Sequence, residues 1–147
     1  PRQLFVQTLS VMRDPVGPFN ELFAAVESGQ LEAVRACIDA GFDLNARDGR
    51  PIVGGGNTPL HCAAARGDVE VARLLLDAGA NVIAVCELGW TPLMRACNAG
   101  HLAVTRLILN AGADVNLRNA EGYSAFGRIP GYAVELLRLV KARGGRV

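Results

Sequence analysis

The chain has almost no net charge, only two histidines, and no long apolar run. Each scarcity excludes something. Fifteen Lys and Arg stand against fourteen Asp and Glu, mixed along 147 residues, so the basic face of a nucleic-acid binder is missing. No stretch approaches the roughly 18 apolar residues of a membrane span. No charged-then-apolar leader with a small-residue cleavage site opens the chain. The expected compartment is therefore the cytoplasm. The start at Pro1 leaves a trimmed leader, and so secretion or the periplasm, open. Lysine is nearly absent too: Lys141 stands alone among the basic residues, which suggests a GC-rich, bacterial source.

The residue types that carry chemistry are equally sparse. His61 and His101 have no neighbouring ligand cluster, so neither a metal site nor a general base is expected. The four cysteines, Cys37, Cys62, Cys86 and Cys97, show no CxxC spacing and read as reduced and structural. Gly54-Gly55-Gly56 lacks the Gly-Lys-Ser/Thr of a phosphate loop and a preceding strand. Ser10, Ser28 and Ser124 have no nucleophile-elbow context. The expectation is a protein without catalysis and without a cofactor.

What is present is repetition. Thr58-Pro59-Leu60-His61-Cys62-Ala63-Ala64-Ala65-Arg66-Gly67 recurs 33 residues later as Thr91-Pro92-Leu93-Met94-Arg95-Ala96-Cys97-Asn98-Ala99-Gly100. Val69, Val71 and Leu74-Leu75-Leu76 recur as Leu102, Val104 and Leu107-Ile108-Leu109. Each copy reads as a helix capped by Thr and opened by Pro, a Gly turn, a second helix, and an extended finger. This period, with its TPLHxA core, resembles the ankyrin repeat family over roughly residues 19 to 145.

The resemblance implies an all-α solenoid of stacked helix-turn-helix units with protruding finger loops. Four units are expected, at about 19–47, 48–85, 86–118 and 119–147, behind an N-terminal cap segment at 1–18. In that cap Leu4, Phe5, Leu9 and Met12 line one face of a short helix that Asp14-Pro15 would stop. Unit 1 is offset by 38 rather than 33, which puts five extra residues into the finger loop Asp48 to Asn57. Unit 4 is worn: Ser124-Ala125-Phe126-Gly127 replaces TPLH, and Pro130-Gly131 truncates its first helix. Its second helix, Tyr132 to Arg143, presents Val134, Leu137 and Val140.

The resemblance also implies a function: binding another protein through a concave groove of finger tips and inner helices. Carried over by position, the first and second units offer Arg47, the insert residues Arg50, Ile52 and Val53, then Asn57 and Arg66. The third offers Glu87, Leu88, Trp90, Arg95 and Asn98, and the fourth Arg118, Glu121 and Tyr123. Exposed Ile52, Val53, Leu88 and Trp90 would form an apolar patch, and Trp, Tyr and Arg are typical hot-spot residues. Trp90 and Tyr123 have a plainer alternative, bracing neighbouring fingers. His61 would bridge backbone groups of adjacent fingers, Met94 puts the matching bonds in doubt, and Ile83 replaces the Asn of Asn45 and Asn116. A monomer is expected. Its narrower role would be a bacterial regulator or inhibitor of a cognate protein. The alternatives are a host-directed effector and the interaction domain of a larger multidomain enzyme.

Overall fold

The computed structural model describes residues 21–49 and 55–147. The expected cap segment at 1–18, and Arg50, Ile52 and Val53 of the insert, lie outside the described residues. Among the described residues the chain forms seven α-helices, one 3-10 helix and no strand. Helices α1 (Glu21–Glu27) and α2 (Leu31–Asp39) make the first pair. The second pair is α3 (Pro59–Arg66) and α4 (Val69–Asp77), and the third is α5 (Pro92–Ala99) and α6 (Leu102–Asn110). The last unit keeps its outer helix α7 (Val134–Ala142), while its inner helix is reduced to the 3-10 turn Phe126–Arg128. Pro130 accounts for that reduction, because a proline cannot extend the helical hydrogen-bond ladder.

Local chemistry sets each boundary. Thr58 and Thr91 are extended, and Pro59 and Pro92 take the first helical position, where the missing N–H costs nothing. The Thr91 hydroxyl accepts the N–H of Met94 at 3.2 Å. Inner helices then stack, α1 on α3 on α5, and outer helices stack beside them, α2 on α4 on α6 on α7. The core therefore runs as a strip along the array, with Leu60, Leu75, Leu93, Ile108 and Leu136 fully buried. In α7 the sequence expectation is only partly right. Leu136 and Val140, one turn apart, form the buried face, whereas Leu137 is half-buried and Val134 is 50% exposed.

All four cysteines are free, and Cys37, Cys86 and Cys97 are buried. Burial, with some help from Glu21, pushes the Cys37 thiol up to about 11, and burial pushes Cys97 up to about 12. These thiols act as small core hydrophobes.

Each finger closes through backbone pairing at its base. Asp48 donates to the Asn57 carbonyl at 2.8 Å, Cys86 to Trp90 at 3.1 Å, and Asn119 to Tyr123 at 2.9 Å. Neighbouring fingers are then linked, Glu87 N–H to the Gly55 carbonyl at 3.1 Å and Ala120 N–H to Leu88 at 3.0 Å. These bonds make the fingers one continuous edge beside the inner helices.

Candidate partner-binding groove

His61 shows how the floor of the groove is held. Its Nδ1 accepts the Thr58 N–H at 3.1 Å and lies 2.9 Å from the Thr58 hydroxyl. A peptide N–H can only donate, so Nδ1 is the acceptor and the proton sits on Nε2. Nε2 donates to the Trp90 carbonyl at 2.8 Å, which ties the cap of α3 to the next finger. This is the bridging role expected from sequence. Burial pushes the His61 pKa down to about 4; the bond to Trp90 opposes the shift, while the cations Arg95 and Arg47 add to it. The ring is thus a buried, neutral strut. Met94 fills the equivalent slot without any such group. There the finger braces itself: the Asn119 side-chain oxygen accepts the N–H groups of Glu121 and Tyr123, both at 3.0 Å. His101 is also structural in placement, with Nε2 3.0 Å from the Ala65 carbonyl of the preceding unit.

Above this floor, five residues from three units form an alternating ladder. Trp90 and Tyr123 occupy one repeat position, which Asn57 fills in the second unit; Arg95 and Arg128 occupy another. Arg95 donates from Nη2 to the Asn57 oxygen at 3.2 Å, and its Cζ lies 4.8 Å from the Trp90 ring centroid. Arg128 lies 5.1 Å from Trp90 and 5.1 Å from Tyr123. Each guanidinium therefore meets the pre-cap residue of its own unit and of the unit before it. Arg128 also donates to Asn98 at 3.3 Å.

Trp90 consequently departs from expectation. It is only 6% exposed and cannot belong to an open apolar patch. The guanidiniums of Arg95 and Arg128 lie over its ring. Leu88, at 38%, and Tyr123, at 43%, do remain exposed. Arg47, Arg66, Glu87, Asn98, Arg118 and Glu121 are exposed as well, while Asn57 and Arg95 are half-buried. Arg118 is partly committed: it donates to the carbonyls of Gly122 and, at 3.0 Å, of Val147. Arg128 was missing from the sequence-derived set. Its spacing of 33 from Arg95 is the signal that marks it, hidden by the loss of the TPLH pattern around it.

The inner helices and the ladder enclose a shallow cavity of about 350 Å³. Glu27, Ala65 and Arg66 line it from α1 and α3, His61 and Cys62 form part of its base, and Asn57 and Arg95 close the finger side. It spans three successive units, as a surface of a repeat array does. Among the described residues no group of three or more His, Cys, Asp or Glu side chains is placed to hold a metal ion. No helix there is long and apolar enough to cross a membrane.

The family model described as "Ankyrin repeats (3 copies)" matches residues 22–119. The chain belongs to the ankyrin repeat family. The matched segment ends at Asn119, where the worn fourth unit begins. Among similar proteins, "Potassium channel KOR1" of Oryza sativa subsp. japonica is 41% identical over 70 residues, covering 48% of this chain and 8% of that protein. "Protein phosphatase 1 regulatory subunit 27" of Mus musculus is 37% identical over 79 residues, 52% of this chain and 48% of that protein. "Putative ankyrin repeat protein FPV219" of Fowlpox virus (strain NVSL) is 34% identical over 67 residues, 46% of this chain and 14% of that protein. The chain thus spans less than half the length of each of these relatives. Ankyrin repeats mediate protein–protein interaction, and as a family they are non-catalytic modules.

Proposed function

We propose that the array binds one partner protein through the concave face formed by α1, α3, α5 and the finger edge, and that it regulates that partner without chemistry of its own. The observation that carries this reading is the cavity across three units, lined by exposed Arg66, with Leu88 and Tyr123 exposed on the fingers. Arg and Tyr are favoured at binding hot spots, and about 800 Å² per partner is a standard interface, a size that a groove over three fingers supplies. The likeness to a regulatory subunit of a phosphatase supports a regulator more than a catalyst. A bacterial origin rests on the scarcity of lysine alone, and the protein is taken to act as a monomer.

The test compares variants on two faces. Arg66→Glu and Leu88→Asp alter the groove, while Arg73→Glu alters the exposed face of α4. A partner recovered from the native source with the unaltered chain should be lost with both groove variants and kept with Arg73→Glu. Loss with Arg73→Glu alone would move the interface to the outer helices and end this reading.

A further inference from the structure

Trp90 and Tyr123 hold the same repeat position but meet solvent differently: Trp90 is 6% exposed and Tyr123 43%. The ladder accounts for the difference. Each of its guanidiniums touches the pre-cap residue of its own unit and of the unit before it. Trp90 therefore meets two, Arg95 at 4.8 Å and Arg128 at 5.1 Å. Tyr123 meets Arg128 at 5.1 Å and, among the described residues, no second cation. Its ring is the rung of the ladder that keeps surface open to solvent.

That surface suits a planar cation. Aromatic faces attract cations through the ring quadrupole, and a guanidinium stacks on a ring better than a compact ammonium does. Two guanidiniums against one ring repel each other, but the chain already holds that arrangement at Trp90. Tyr123 is also held in place before anything binds. Its N–H donates to the Asn119 side-chain oxygen at 3.0 Å, its carbonyl accepts the Asn119 N–H at 2.9 Å, and Arg128 lies against its ring. A side chain ordered in advance costs less entropy when a ligand arrives. Glu121, exposed in the same finger turn and without an ion pair to another described residue, adds a negative charge beside it.

We propose that Tyr123 takes an arginine side chain of the partner, which continues the ladder as its next rung. This rests on the groove-binding reading above and deepens it by naming one contact and its chemistry. The first test uses N-acetyl-arginine N-methylamide as probe, with its citrulline twin, of the same shape but neutral, and its lysine counterpart. Each is titrated into the full chain, and the tyrosine ring signals are followed by NMR. Tyr132 serves as internal control: it is 83% exposed and has no cation over its ring among the described residues.

The arginine probe should shift the Tyr123 signals saturably, at least about fivefold tighter than it shifts those of Tyr132 and than the citrulline twin shifts Tyr123. The lysine probe should fall between. Tyr123→Phe, which keeps a ring, should retain the binding, and Tyr123→Leu should lose it. An equal response at both tyrosines, an equal response to citrulline, or no shift at Tyr123 overturns the inference. So does a Tyr123 shift produced by raising the chain concentration alone, which would give the ring to a second copy. The second test adds Tyr123→Leu to the capture of the partner, which should weaken at least about fivefold. If Tyr123→Leu leaves capture intact while Arg66→Glu and Leu88→Asp abolish it, the inference falls and the groove reading stands. If all three leave it intact, the groove reading falls as well.

Discussion

The guanidinium carbon of Arg128 lies 5.1 Å from the Trp90 ring centroid and 5.1 Å from that of Tyr123. One cation thereby joins the last two units of the array through two ring faces. Such a contact contributes about 0.5–1 kcal/mol when exposed, and more when desolvated. Against this, Arg128 Nε is buried with no hydrogen-bond partner among the described residues, which costs part of the gain. Arg128→Ala is expected to destabilise the chain by about 1 kcal/mol net. Trp90 is the only tryptophan, so its emission reports the change directly. The variant should show red-shifted emission and a lower urea midpoint, with Arg128→Lys in between. Native-like emission together with an unchanged midpoint would show that the stack holds nothing.

His61 predicts a pH dependence. Its folded pKa is about 4, against 6.5 for an unperturbed imidazole. Between those values the unfolded chain holds a proton that the folded chain refuses. Stability from this residue is therefore complete above pH 6.5, is lost as the pH falls towards 4, and changes no further below that. The loss is at most about 3 kcal/mol. Urea titrations of the unaltered chain and of His61→Gln from neutral pH downward check it. At neutral pH the variant should be less stable, and the two curves should converge towards pH 4. A gap that stays constant would mean that His61 does not titrate in this way.

What was legible in the sequence divides along physical lines. The scaffold was legible because each unit is set by local chemistry: Thr and Pro at a helix start, apolar spacing along the outer helix, Pro130 against the fourth inner helix. His61 was legible through the family resemblance: one partner is the cap three residues back, but the other belongs to the next finger. The ladder was not. Trp90 looks like an exposed finger-tip residue until Arg95 and Arg128 are placed over it, and Arg128 comes from a unit whose motif has worn away. Side chains covered by a neighbouring unit depend on inter-unit geometry, and periodicity alone does not supply that.

Two glycines in matching positions should tolerate substitution unequally. Gly67 and Gly100 both end inner helices in the left-handed conformation, at φ 74° and 79°. An L-residue there costs about 1–2 kcal/mol for backbone reasons alone. A Cβ on Gly100 would meet nothing within 4 Å, whereas one on Gly67 would meet the His101 imidazole at 2.5 Å. Gly100→Ala should therefore lose only the backbone amount. Gly67→Ala should lose about 1 kcal/mol more, because it also displaces His101 from the Ala65 carbonyl. In a His101→Ala background the two losses should become equal. Equal losses in the native background would contradict the packing of His101 on Gly67.

Ile83 marks the weakest joint between fingers. The Asn45 oxygen accepts the Asn81 N–H of the next finger at 2.8 Å. Asn116, in the same repeat position, accepts the Arg146 N–H at 3.2 Å and donates to the Gly144 carbonyl at 3.1 Å. Ile83 holds that position between them, 54% exposed and with no polar atom to reach Asp114, the counterpart of Asn81. Ile83→Asn should restore the missing bond and stabilise the chain by about 0.5–1.5 kcal/mol, raising Tm by a few degrees. It should also slow hydrogen exchange at the Asp114 amide, which separates a new bond from the mere removal of an exposed apolar side chain. Ile83→Ser, too short to span the gap, should leave that amide as it is. A gain in Tm with no change at Asp114 would assign the benefit to solvation and not to the finger joint.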